Sequence, residues 1–335
     1  PNTGEIYALV SYPSFDNNAY TPFPSMGREA GQALIAQYRT DERNPEVNRP
    51  TMGLYPLGST MKTVSAAAAA DSGVYALNQS YVCTGIWNRD ITRYDWNNGH
   101  GRVTLASSLT QSCNPFYYET GYQLDLVDPY LLPNYMKRVG FGGPSGMTDL
   151  PEQTGFVPDP DWWRTTYGEQ WRFSEAVNMA IGQGILQVTP LQTARWYSAI
   201  ANGGTLPTPF LVAKHGLIGD ELTTVPHPPG TPTEIRPEVL ATIQEGICAV
   251  TTASYGTAEF VFRNSPLQSI GVCGKTGTAQ TGGEGTMSHA WFASYAPREN
   301  PQVVVVAMVE NSGEGSGVAA PIAAQVLEAY FGMTR

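Results

Sequence analysis

The chain has 335 residues, of which 41% are hydrophobic and 14% charged, and it carries a formal net charge of −10. That composition is globular rather than disordered and is long enough for one large domain or two lobes. It excludes a nucleic-acid partner, since no basic stripe exists to neutralise phosphates, and no run reaches the roughly 18 apolar residues of a membrane span.

In chain order, Glu5 to Ser11 (EIYALVS) alternates and is β-rich, which predicts a strand. A polar, Pro-rich connection follows to about Pro56, and the Ala-rich run Thr60 to Ala70 has the highest helix propensity in the chain. Val103 to Gly121 reads as helical with a break near Asn114-Pro115, and 123–140 as further helix before a Gly/Pro-rich loop over 140–160. Phe173 to Asn202 reads as helical around a Gly182-Gln183-Gly184 turn, and 205–235 as an irregular excursion. Pro237 suits the first turn of a helix carrying Leu240, Ile243, Ile247 and Val250. Strands are expected around Ile270–Cys273, Ala290–Tyr295 and Val303–Val309. A closing helix at 319–331 would bury Ile322, Val326, Leu327, Tyr330 and Phe331. Strands at both ends and helices between predict an α/β (α+β) fold: an antiparallel sheet lobe from 1–58 and 236–335, and a helical lobe inserted at 59–204.

The four cysteines (Cys83, Cys113, Cys248, Cys273) form no C-x-x-C pair and the four histidines include no pair at ligand spacing, so no zinc site is expected. The scatter reads as buried or half-buried free thiols, with a single Cys248–Cys273 bridge as the alternative.

Only four lysines occur, Lys62, Lys137, Lys214 and Lys275, and only Lys62 has a serine three residues before it. Ser59 and Lys62 would share a helix face, so hydroxyl and amine can meet. Alone, Ser-x-x-Lys is better explained by a helix-capping serine and a solvated lysine. Ser112-Cys113-Asn114 is the only Ser-x-Asn in the chain, however, and Lys275-Thr276-Gly277 the only Lys-Thr-Gly. Singly these are a helix break and a strand end; together, in this order, they are the motif set of serine acyl-enzymes that react with β-lactams.

On these residues the chain resembles the class B penicillin-binding proteins, specifically the transpeptidase domain of the elongation type. Tyr55-Pro56-Leu57-Gly58 is similar to that family's Pro-Pro-Gly lead-in, with Leu57 in place of the second proline. Ile181 to Gly184, Thr189 to Gln192, Ala201 to Gly204, and Lys275 to Gln280 followed by His289-Ala290-Trp291-Phe292 extend the likeness over about residues 4–331. The resemblance implies the penicillin-binding-protein/serine β-lactamase-like fold and a peptidoglycan D,D-transpeptidase. Ser59 would attack the carbonyl between two D-alanines of a stem peptide, and a second stem's amine would take the acyl group. Lys62 would be the general base, Ser112 a proton relay and Asn114 a positioning group. Lys275, Thr276 and Thr278 would hold the terminal carboxylate, Gly277 would leave room for the substrate backbone, and the N–H groups of Ser59 and Thr278 would form the oxyanion hole.

No metal or cofactor is implied. Partners would be stem peptides, β-lactams and membrane-bound cell-wall synthesis proteins. The location would be the extracytoplasmic face of a bacterial membrane, with Pro1 lying inside a longer anchored protein. A D,D-carboxypeptidase, a β-lactamase and a non-catalytic β-lactam sensor share the same motifs. Cys113, in the variable position of Ser-x-Asn, is expected to point into the helical lobe. Trp291 and Tyr295 read as core and His289 as structural.

Overall fold

The computed structural model describes residues 1–89, 91–219, 221–282 and 286–333. Helices α1 (Arg28–Thr40), α2 (Arg49–Met52) and α3 (Lys62–Asp71) come first, α3 continuing directly from a 3-10 turn at Gly58–Met61. Short strands β1 (Ser80–Cys83), β2 (Ile86–Asn88), β3 (Thr92–Tyr94) and β4 (Gly101–Thr104) form two small hairpin-like ribbons, β1 with β4 and β2 with β3. Then follow α4 (Leu105–Thr110), α5 (Asn114–Val127), α6 (Leu131–Arg138), α7 (Pro160–Tyr167), α8 (Phe173–Ala180) and α9 (Pro190–Asn202). The excursion holds only two-residue strands β5 (Thr205–Leu206), β6 (Lys214–His215), β7 (Thr223–Thr224) and β8 (Thr231–Pro232). The chain closes with α10 (Pro237–Thr252), α11 (Glu259–Phe262), β9 (Cys273–Ala279), β10 (His289–Ala296), β11 (Val303–Val309) and α12 (Ala319–Tyr330).

Local chemistry sets the helix ends. Helix α9 starts at a Thr189/Gln192 capping box with Pro190 in its first turn, and it stops at Gly203 in the left-handed region. Helix α3 is buried on every side from Lys62 to Ala70, which its run of small residues permits. It packs against α4, α5, α6 and α10 and shares its core with one face of the sheet.

The main sheet is antiparallel in the order β11-β10-β9, with Lys275 opposite Ala293 and Gly277 opposite Trp291. One face packs Cys273, Ala293 and Tyr295 into the large core shared with α3 and α10. The other packs Ala290, Phe292 and Ala307 against α12. Strand β9 is therefore an edge, and its free side meets the turn that carries Ser59. Trp291 and Tyr295 are core, as expected, the indole donating to the Pro56 carbonyl at 3.1 Å.

Three expectations need correction. Glu5 to Ser11 is not a strand: Glu5 makes a single bridge to Phe210, and Tyr7 and Val10 stay exposed. Alternation marks a segment that can pair, but a strand also needs a neighbouring edge, and among the described residues none accepts it beyond that bridge. The strand predicted at 270–273 begins only at Cys273 and runs through Lys275 to Ala279, so Lys-Thr-Gly lies within it rather than at its end. Helix α12 buries Ala319, Ala320, Ala323, Ala324 and Leu327, while Ile322, Val326 and Tyr330 are more than two-fifths exposed. Small residues let the helix approach the sheet closely, and that contact outweighs the larger side chains on the opposite side.

Cys248 and Cys273 form a disulfide joining α10 to the start of β9, so the alternative to free thiols holds for this pair. Cys83 and Cys113 are free and buried.

Candidate active site

Ser59 sits in the 3-10 turn one helical step before Lys62. The turn is pinned by Gly58, whose N–H donates to the Gly182 carbonyl at 2.9 Å. Gly58 has φ +55°, and a side chain there would stand 2.6 Å from the Thr278 carbonyl oxygen. A side chain on Gly277 would meet the Leu57 carbonyl and the Thr60 methyl at 3.0 Å. The turn carrying Ser59 thus lies directly against β9 at Gly277 and Thr278, with the Gly182 turn closing the third side.

Behind it, two lysine side chains meet on one hydroxyl. Lys62 Nζ donates to Asn114 Oδ1 at 2.6 Å, to the Ser112 carbonyl at 2.8 Å and to Ser112 Oγ at 3.1 Å. Lys275 Nζ donates to the same Ser112 Oγ at 2.9 Å and to the Thr276 carbonyl at 3.1 Å. Ser112 adopts φ +54°, a sparsely populated conformation for a residue with a side chain, in the break between α4 and α5. That strained link turns both its carbonyl and its hydroxyl toward the amines. Asn114 opens α5. The structure therefore gathers Lys62, Ser112, Asn114 and Lys275 by side-chain hydrogen bonds, and Ser59, Gly277 and Thr278 by backbone packing. Thr276 is buried beside Lys275, and its hydroxyl pairs with Thr257 at 2.8 Å.

Burial decides the charge state. Lys62 is completely buried, and loss of hydration pushes its ammonium down to about 8, against the opposing pull of Asp95. Lys275 is also fully buried, and it is pushed well below the usual lysine range by desolvation and then by the charge on Lys62. Two ammonium groups sharing one hydroxyl in a dry site repel, which adds to the cost of charging the second. Both shifts run toward the neutral amine, the form that can accept a proton.

Several contributors carry no sequence motif. Asp95 accepts from the Asn114 and Trp96 N–H groups, and the Trp96 indole donates to the Ser112 carbonyl at 3.2 Å. Burial disfavours the Asp95 carboxylate, yet the adjacent His100 imidazole, the hydrogen bond from the Asn114 N–H and the charge of Lys62 hold it below its ordinary value. Gln183 donates to the Thr278 carbonyl at 3.4 Å. Only the Gly-Gln-Gly turn was visible beforehand. His289 is structural, as expected: its Nδ1 accepts from the Asn311 N–H and its ring lies edge-on to Tyr55. Cys113 is fully buried at the start of α5, as expected for a side chain turned inward, and desolvation raises its thiol far above the usual range.

Spacing gave no hint of a metal, but the fold assembles a donor set beside Asn114. Ligand atoms of Cys83, Asp95 and His100 lie within 4.8 Å of one another, and the Cys113 thiol bonds to Cys83. His100 Nε2 stands 3.2 Å from Asp95 Oδ2, yet it is buried and has no hydrogen-bond partner of proper geometry. Sulfur, nitrogen and carboxylate donors suit Zn²⁺, and an orphaned buried imidazole nitrogen is satisfied by one. Elemental analysis of protein purified without chelator is expected to find about one zinc per chain, lost in Cys83→Ser. A wild-type protein free of zinc contradicts this.

The family described as the penicillin binding protein transpeptidase domain matches residues 1–328. Peptidoglycan D,D-transpeptidase MrdA of Haemophilus influenzae is 32% identical over 350 aligned residues, covering 99% of this chain and 52% of the relative. The chain thus spans about half the length of the curated relatives it matches. Among solved structures, Pseudomonas aeruginosa PBP2 in complex with WCK 5153 superposes with TM-score 0.86 at 33% identity, covering 98% of this chain and 69% of that one. Penicillin-binding protein A from Mycobacterium tuberculosis, solved as a ceftriaxone acyl-enzyme complex, superposes with TM-score 0.83 at 26% identity, covering 98% and 72%. These likenesses show the penicillin-binding-protein/serine β-lactamase-like fold.

Proposed function

This chain belongs to the penicillin-binding protein transpeptidase domain family, as a class B member, and from that premise we propose that it cross-links peptidoglycan stem peptides through an acyl-enzyme on Ser59. The observation that carries the reading is the junction at Ser112 Oγ, where Lys62 and Lys275 approach to 3.1 and 2.9 Å. A hydroxyl bridging two buried amines can pass a proton between the nucleophile's side of the site and the leaving group's side.

The steps follow from that arrangement. The terminal carboxylate of the donor peptide settles near Lys275 and Thr276 and keeps Lys275 protonated. A charged Lys275 favours the neutral form of Lys62, so substrate binding itself frees the base. Lys62 takes the proton of Ser59 Oγ as it attacks the carbonyl between the two D-alanines. The oxyanion is held by the Ser59 and Thr278 N–H groups, each donor worth on the order of 3 kcal/mol in comparable sites. Ser112 passes a proton to the departing amine, and terminal D-alanine leaves. The acceptor stem's amine then attacks the ester and gives up a proton to Lys62, which passes one back to Ser59 Oγ as the ester bond breaks. The relative solved as a ceftriaxone acyl-enzyme supports the same covalent step with β-lactams here.

A hydrolase needs a base that activates water at the ester. Among the described residues no carboxylate hydrogen-bonds to Lys62, Ser112 or Lys275, and the nearest acid, Asp95, is engaged by Asn114, Trp96 and His100. This supports aminolysis over rapid hydrolysis. The Cys248–Cys273 disulfide supports the extracytoplasmic face as the site of action, because such bonds persist in oxidising compartments.

The test supplies a donor stem peptide with an amine acceptor and follows both products. Cross-linked product is expected to exceed hydrolysed donor, and a penicilloyl ester is expected to last many minutes. Hydrolysis alone with the peptide, or an ester lifetime of seconds, contradicts the reading.

A further inference from the structure

We propose that Thr257, outside all three motifs, is a positioning residue that fixes the proton of Thr276 toward the substrate carboxylate; this deepens the proposed function and rests on it. The two hydroxyl oxygens lie 2.8 Å apart, and the next neighbour of Thr276 Oγ is Lys275 Nζ at 3.5 Å. A hydroxyl has one proton to give and two lone pairs with which to accept. A carboxylate only accepts. For Thr276 to donate to it, both other neighbours must donate to Thr276. Lys275 does so as an ammonium, which leaves Thr257 as the second donor. If the Thr257–Thr276 bond ran the other way, Thr276 would spend its only proton inside the protein and present lone pairs to a negative charge.

The backbone holds Thr257 in place for this task. It lies between α10 and α11, in a segment folded back on the end of α10. The Ala258 N–H donates to the Val250 carbonyl at 3.1 Å, and Gly256 N–H to Ala253 at 2.7 Å. A side chain on Gly256 would stand 2.4 Å from the Val250 oxygen, so the turn packs closely on the end of α10 and has no room for one. Ala258 is fully buried. Thr257 is thus held between two fixed neighbours, with its hydroxyl 2.8 Å from that of Thr276.

The experiment compares benzylpenicillin with its methyl ester, in which the carboxylate is masked, on wild type, Thr257→Val and Thr257→Ser. Valine keeps the shape and removes the hydroxyl. Thr257→Val is expected to lower acylation by benzylpenicillin roughly tenfold, through weaker binding rather than a slower bond-forming step. Acylation by the methyl ester, already slow, is expected to be unchanged, and Thr257→Ser to restore the wild-type preference for the free acid. Equal losses with acid and ester point to a merely structural role and overturn the proposal, as does a Thr257→Val protein that still discriminates like wild type. A wild-type protein that neither compound acylates overturns the function reading itself, and so is distinct from both.

Discussion

Lys62→Met is expected to slow acylation of Ser59 by roughly 10²–10⁴-fold, the span ordinarily contributed by a positioned general base. Methionine fills a comparable volume with a flexible apolar chain, so the variant isolates loss of the amine from loss of packing. Methionine relieves the burial of the amine but takes a donor away from Asn114 Oδ1 and the Ser112 carbonyl, so a stability loss of about 1–3 kcal/mol is expected, small beside the loss of rate. Measured where the variant is folded, the rate therefore reports the base rather than the fold. The pH dependence has a definite sign. Burial lowers Lys62 to about 8, and the neutral amine is the reactive form. Wild-type acylation is expected to climb as pH rises toward that value and level off above it, while Lys62→Met stays flat. Stopped-flow acylation with a chromogenic β-lactam over pH 6 to 9 reads both effects, and a wild-type rate in the variant contradicts the assignment of the base.

Gly182→Ala is expected to lose both activity and stability. Gly182 has φ +71°, a conformation that costs a residue with a side chain about 1–2 kcal/mol, and the added methyl would stand 2.3 Å from the Gly58 carbonyl oxygen. That neighbour is backbone and cannot rotate away. It belongs to the residue just before Ser59, and Gly58 N–H is bound to the Gly182 carbonyl. Relief of the collision moves the nucleophile's turn away from Gly277 and Thr278, which separates the two N–H groups proposed to hold the oxyanion. A stability loss of about 3 kcal/mol and an acylation loss of roughly 10²-fold are expected, the latter comparable to deleting one oxyanion donor. Thermal unfolding and the acylation rate at a temperature where the variant is folded measure the two separately. Wild-type values of both contradict the clamp.

How much was legible in the sequence follows from what each feature depends on. Ser59, Lys62, Ser112, Asn114 and Lys275 stood out because scarce residue types fell into fixed short spacings in a fixed order, and the structure joins the last four by side-chain hydrogen bonds next to the turn that carries Ser59. The helical stretch ending at Gly203 was legible from local signals, whereas the separate start of α9 at Thr189 and Pro190 emerges only in the structure. Asp95, Thr257 and the Cys83–His100 cluster had no such signature. Each works through a neighbour distant in sequence, Thr257 on Thr276 and Asp95 on Asn114, and only the fold supplies that proximity. The Cys248–Cys273 bridge was an open alternative for the same reason, since it depends on α10 lying against β9. Helix α12 misled in another way: alanine scores weakly as a hydrophobe but packs most closely, so Ala323 faces the sheet and Ile322 faces out. Glu5 to Ser11 kept its alternating pattern without a partner edge, and pattern alone does not make a strand.

The whole account requires one nucleophile. Intact-mass measurement of the protein after exposure to benzylpenicillin, with peptide mapping of the product, is predicted to show a single penicilloyl adduct on Ser59 and none in Ser59→Ala. An adduct of undiminished yield in Ser59→Ala, or one mapped to any other residue, would contradict it.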